Sequence, residues 1–141
     1  MTSLVERAKE LAHRAHAGQV DKAGRPYIEH VARVAAAVAD DPEAEAVAWL
    51  HDVLEDGGAN DCERVNDFPP TIKYAVALLT RCTDYDYASY YGGIAQSRIA
   101  LRVKLADIAD NADEARLALL DAKTADRLRR KYQRALEALS K

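Results

Sequence analysis

Apolar residues along this chain recur mainly at spacings of three and four, the period of an amphipathic helix. Leu4, Ala8, Leu11, Ala12 and Ala15 form the first such stripe, with Ser3 as N-cap and Glu6 three residues on as a capping box. This predicts a helix ending near Gly18. The segment Gly18 to Pro26, with two glycines and a proline, reads as a turn. Ile28, Val31, Val34, Ala35 and Val38 predict a second helix over Tyr27–Ala39, which Asp40, Asp41 and Pro42 interrupt. Pro42 suits the first turn of a third helix, expected to run unbroken to about Asp56. The polar segment Gly57 to Phe68 reads as a loop. Pro69 and Pro70 lead into a fourth helix carrying Ile72, Ala75, Val76 and Leu79. The tyrosine-rich run from Thr83 to Gly93 reads as the start of a short helix. A long segment from about Ile94 to Asp113 and a final one from Asp121 to Leu139 complete the set. No alternating apolar run is long enough to suggest a sheet, so the expected architecture is an all-α bundle with irregular connections.

Composition narrows the classes. The 141 residues fit one domain spanning the chain. A net charge of −3 gives no support to a nucleic-acid partner or an anionic membrane surface. No run approaches the roughly 18 apolar residues of a membrane span, and the charged, periodic N-terminus is not a signal peptide. Two cysteines, Cys62 and Cys82, are too few for a disulfide scaffold and read as free thiols in a reducing compartment. The expectation is a cytoplasmic protein.

Chemistry concentrates in Ala48 to Gly58, AWLHDVLEDGG. In one continuous helix His51 would align with Glu55, and Asp52 with Asp56. Three acids would then crowd a helix C-terminus, where the backbone dipole disfavours them. In VKLADIADN, Asp107 aligns with Asn111, and His30 opens the second helix. Two imidazoles and two carboxylates suit a borderline or hard divalent ion such as Mn²⁺, Fe²⁺ or Zn²⁺. Such an ion would offset the helix-end charge, and Glu55 and Asp56 would orient water or carry its proton. Separately, each motif has a plainer reading: a solvated helix end, an exposed acidic stripe. The combination of His30, His51–Asp52 and Asp107 on three helices favours the metal. His13 and His16 read as structural, and Tyr85, Tyr87, Tyr90 and Tyr91 as packing.

That combination resembles the HD-domain phosphohydrolases, and more narrowly the hydrolase domain of the RelA/SpoT-type alarmone enzymes and their stand-alone small forms. HAGQVDKAGRPYIEH (His16 to His30), AWLHDVLED and VKLADIADN carry the likeness, which covers roughly Leu4 to Asn111. The resemblance implies an all-α HD bundle in which His30, His51, Asp52 and Asp107 bind one metal, typically Mn²⁺. Glu55 and Asp56 would be the catalytic acids, and Lys22, Arg81 and Asn111 would meet the substrate. The family reaction removes a 3′-pyrophosphate from (p)ppGpp, and a related small form removes the 2′-phosphate of NADPH. Asp21 stands where the family has a basic residue, and Ile108 and Asp110 where it has a basic residue and a histidine. The expected function is therefore metal-dependent hydrolysis of a nucleotide or related small phosphate ester. The alternative is a nucleotide-binding regulatory module with this fold and little catalysis.

Overall fold

The computed structural model describes residues 2–82 and 84–140; Met1, Thr83 and Lys141 lie outside the described residues. The order is α1 (Leu4–Ala15), α2 (Tyr27–Ala37), α3 (Pro42–Leu50), α4 (Val53–Asp56), α5 (Ala59–Val65), α6 (Pro70–Leu79), α7 (Tyr87–Ala95), α8 (Arg98–Asn111), α9 (Glu114–Leu117) and α10 (Ala122–Leu139). Among the described residues the only β pairing is a bridge between Val20 and Pro26. The bundle is all-α, as the periodicity predicts.

Local chemistry sets the helix starts. Ser3 Oγ accepts from the Glu6 amide at 3.1 Å. Asp41 accepts from the amides of Glu43 at 3.0 Å and Ala44 at 3.4 Å, with Pro42 in the first turn of α3. Ser97, Asp113 and Asp121 cap α8, α9 and α10 in the same way. The central element is α3, whose Ala44, Ala46, Val47, Ala48, Trp49 and Leu50 are all buried. It packs against α1, α2, α6 and α8. Its small residues let those neighbours approach closely, and Val31, Val34, Ile72, Val76, Ile94 and Val103 fill the space between. A satellite cluster of Leu117, Ala125 and Leu128 joins α9 to α10.

Two expectations are corrected. The predicted helix Pro42–Asp56 ends at Leu50, and a separate short helix starts at Val53. His51 Nδ1 donates to the Ala48 carbonyl at 2.6 Å. That carbonyl is the acceptor the Asp52 amide would use in a continuing helix, so the ring competes with the backbone ladder. Glu55 and Asp56 consequently lie in a separate one-turn helix and not at the end of a long one. The second correction is α5, which occupies the segment expected to be loop. It buries only Val65, so its sequence carries almost no apolar period. Smaller differences follow from caps: Ile94 lies inside α7, which ends at Ala95, while Ser97 starts α8, which ends at Asn111.

Gly57 joins α4 to α5 at close quarters. A Cβ there would lie 2.7 Å from the Val53 carbonyl oxygen and 3.3 Å from Ala15 Cβ, whereas at Gly58 the nearest atom is 4.0 Å away. Gly57→Ala is therefore expected to destabilise by about 1–3 kcal/mol through overpacking. Gly58→Ala should stay within about 0.5 kcal/mol of the parent. Urea denaturation of the pair checks this, and equal midpoints would contradict it.

Candidate metal centre

Three elements converge on one point. The first turn of α2 supplies His30, the α3–α4 junction supplies His51 and Asp52, and the last turn of α8 supplies Asp107. One ligand atom from each lies within 4.8 Å of all the others. The break after Leu50 lets two consecutive residues face the same point. His30, His51 and Asp107 are buried. His30 Nε2 lies 2.9 Å from Asp107 Oδ1. His51 Nε2 lies 3.0 Å from Asp52 Oδ2 and 3.4 Å from Asp107 Oδ1. Tyr27 Oη donates to Asp52 Oδ2, and Asn111 Nδ2 donates to Asp107 Oδ1 at 3.1 Å.

The second partner of each ring tests whether this set fits a metal. His51 gives its Nδ1 proton to the Ala48 carbonyl, so the neutral ring turns a lone pair at Nε2 toward two carboxylates. That nitrogen is buried and has no directed hydrogen bond. His30 Nδ1 donates to Asp110 Oδ2 at 2.6 Å, which likewise leaves Nε2 facing Asp107. Fixing one ring nitrogen through a backbone carbonyl or carboxylate is how metal-ligating histidines are oriented. Lone pairs crowded together in this way need a positive charge between them. The residues fit a divalent ion, with an N₂O₂ donor set and room for further ligands.

With no cation, protons must fill that role. Burial disfavours the His51 cation, but Asp52 and Asp107 outweigh it and hold its pKa well above the usual histidine value. Burial likewise opposes a charge on His30, yet Asp107 and Asp110 raise it. Burial would raise Asp52, while the charge of His51 holds it down at about 2. Asp107 lies well below its usual range: burial is overcome by hydrogen bonds to both histidines.

The centre opens into a narrow cleft of about 90 Å³, lined among others by Glu55, Arg81, Lys104, Asn111, Lys131 and Tyr132. Glu55 Oε1 accepts from the Arg81 amide at 3.2 Å and from Arg81 Nε at 3.3 Å. Lys104 Nζ stands 3.4 Å from Asp107 Oδ2. Burial lowers the Lys131 pKa, and so do the charges of Arg81, Lys22 and Lys104. Arg81, Lys104 and Lys131 thus line one cleft, with Lys22 near enough to act on Lys131. A larger cavity of about 490 Å³ adjoins the cleft and shares Tyr27, Asn111 and Tyr132 with it.

The sequence-predicted residues thus divide. The four candidate ligands come together, with Glu55 and Arg81 beside them. Asn111 stands between the two spaces, and Lys22 lines the larger one. Asp56 faces outward and accepts from Gln19 Nε2 at 3.3 Å, while Gln19 Oε1 is 2.7 Å from the buried His16 Nδ1. Cys62 and Cys82 are free, as expected. Tyr90 and Tyr91 pack in the core. Sequence reasoning missed Tyr27, Lys104, Lys131 and Tyr132, together with Arg33 and Arg116. Only Lys104 had a local signal, three residues before Asp107.

No family model matches the chain. Over 59 residues, 40 % of this chain, it is 42 % identical to a probable GTP pyrophosphokinase of Mycobacterium leprae. Over an equal length it is 41 % identical to the bifunctional (p)ppGpp synthase/hydrolase RelA of Mycobacterium tuberculosis. The match spans 8 % of the length of each relative. A solved structure of a metazoan ortholog of SpoT, which hydrolyses ppGpp, matches 99 % of this chain and 86 % of that one, with a TM-score of 0.78 and 22 % identity. The chain has the fold of that SpoT ortholog. Its resemblance to the RelA/SpoT proteins therefore lies in both sequence and fold, and the fold is the expected all-α HD type. Among the described residues no helix is long and apolar enough to cross a membrane.

The charge balance predicts a pH signature. Folded-state pKa values raised at His30 and His51 give stability that is complete below the usual value of 6.5 and is lost as pH rises through the raised values. Those lowered to about 2 at Asp52 and Asp110 give stability present above 3.8 and lost as pH falls toward 2. Thermal scans of the metal-free protein should therefore show a falling Tm above neutral pH and again in acid. Mn²⁺ at about a hundredfold excess over its Kd should add about 2.7 kcal/mol, most visibly at alkaline pH, where protons no longer compete. A metal-free Tm that climbs above neutrality, or no response to Mn²⁺, would contradict the balance.

Proposed function

We propose that this chain is a metal-dependent phosphohydrolase of a nucleotide or related small phosphate ester, akin to the (p)ppGpp hydrolases. The observation that carries the reading is the buried His30, His51, Asp52 and Asp107 cluster at the base of a cleft walled by Arg81, Lys104 and Lys131. The sequence match to (p)ppGpp synthase/hydrolase proteins and the fold of the SpoT ortholog support it.

In this reading the four residues hold one divalent ion, Mn²⁺ by resemblance. Such an ion supplies Lewis acidity at a phosphoryl oxygen and makes water more acidic. The protein's own groups do the rest. Tyr27 and Asn111 fix the carboxylates of Asp52 and Asp107 through hydrogen bonds. Arg81, Lys104 and Lys131 neutralise the phosphoryl oxygens as charge develops. Glu55 lies in the cleft, orients the attacking water and takes its proton. Its pairing with Arg81 couples that base to the arrival of a phosphate, which competes for the same guanidinium. Asp56, exposed and held by Gln19, passes the proton outward. Lys22 and Asn111 meet the remainder of the substrate. The partner is thus a small phosphorylated molecule.

The test is metal analysis of the purified protein, followed by phosphate and pyrophosphate release from ppGpp, NADPH and simple nucleotides. Asp52→Asn should lose both Mn²⁺ and turnover. Glu55→Gln should keep Mn²⁺ and lower kcat by roughly 10²–10⁴. Mn²⁺-stimulated release that persists in Asp52→Asn would overturn the mechanism. Tight nucleotide binding with no release would identify a regulatory module instead.

A further inference from the structure

The larger cavity has an apolar rim and floor. Val20 and Leu119 stand 59 % and 65 % exposed at its mouth, with Leu117, Leu120 and Leu128 beneath. Exposed apolar side chains on both sides of one opening suit an uncharged, planar occupant. The charged groups in the same wall are largely committed to one another. Arg116 Nη2 donates to Asp21 Oδ2 at 3.0 Å. Its Nη1 donates to Asp110 Oδ2 at 2.8 Å and to Asn111 Oδ1 at 3.2 Å. Arg33 Nε occupies Asp110 Oδ1 at 2.7 Å, and Arg25 pairs with Glu29 at 3.3 Å. Two aspartates and two arginines thus form one neutral chain along the wall.

Asp21 cannot readily release its partner. Its side chain is 11 % exposed. Its Oδ1 accepts from the amides of Ala23 and Arg25, both at 2.9 Å, so the loop is built around the carboxylate. A phosphate entering this wall would have to take Arg116 from Asp21, leaving a half-buried carboxylate without its counter-charge beside a second anion. Arg81, Lys104 and Lys131 line the cleft instead, and Lys22, in the larger cavity's lining, lies close enough for its charge to act on Lys131.

Resting on the phosphohydrolase reading above, we propose that the Asp21–Arg116 pair is a specificity determinant: it reserves the larger cavity for the uncharged part of the substrate and disfavours a second phosphate group there. The preferred substrate class is a nucleotide phosphorylated at the end that enters the metal cleft and bearing little charge at the other.

Guanosine 3′-diphosphate and guanosine 3′,5′-bis(diphosphate) share one end and differ in charge at the other. Calorimetric binding to the metal-free protein and kcat/KM with Mn²⁺ should both place the 5′-hydroxyl compound at least level with its bis(diphosphate) counterpart. Asp21→Asn keeps an oxygen for the loop amides and removes the charge, so it should shift the ratio toward the bis(diphosphate) by roughly tenfold or more. Arg116→Gln unmasks Asp21 and should shift the ratio the other way. Opposite shifts are an outcome that a merely structural role for the pair does not produce. A parental preference of more than about tenfold for the bis(diphosphate), shifts of the same sign, an unchanged ratio, or no binding of either compound to any of the proteins would each overturn the proposal. Ratios that shift as stated in binding, with no turnover of either compound, would leave the specificity role standing and remove the phosphohydrolase reading.

Discussion

His30, His51, Asp52 and Asp107 bring ligand atoms within 4.8 Å of one another inside the bundle, and such crowding is tolerable only with positive charge at its centre. Protons can supply it, which is why both imidazoles are held basic and both carboxylates acidic. A divalent ion supplies it better and leaves the nitrogen lone pairs where their second partners have already aimed them. Much of the local structure serves that requirement. The helix break after Leu50 turns two consecutive residues inward. Ala48 and Asp110 fix the rings, and Tyr27 and Asn111 steady the acids.

The cations around the cleft are arranged in depth. Lys104 lies close to Asp107 and Arg81 close to Glu55, so each already has a partner in the protein. Lys131 on α10 lines the same cleft as Arg81 and Lys104. A helix beyond the Leu4 to Asn111 stretch that carries the family likeness thus completes the wall of the site. The opposite side, toward the larger cavity, is neutralised by Asp21, Asp110, Arg33 and Arg116. The two spaces share Tyr27, Asn111 and Tyr132.

What the sequence revealed follows the range of the interactions involved. Ser3, Asp41 and Pro42 announce helix starts because capping is local. The four candidate ligands were legible because His–Asp adjacency, and the position of Asp107 within VKLADIADN, are local too. The break at His51 was hidden because Val47, Leu50, Val53 and Leu54 keep the helical period through it; a single side-chain bond to Ala48 ends the helix. Helix α5 was hidden because it is polar and buries only Val65. Arg116 was hidden because it pairs with Asp21 across 95 positions of sequence. Asp21 and Asp110, which departed from the family pattern separately, are joined through that one guanidinium.

The central claim is that His30, His51, Asp52 and Asp107 hold a metal. An anomalous difference map at the manganese edge, from crystals grown with Mn²⁺, tests it most directly. The account predicts one strong peak bounded by the Nε2 atoms of His30 and His51 and the carboxylates of Asp52 and Asp107. A well-ordered cluster without such a peak, or manganese bound only elsewhere on the chain, would contradict it.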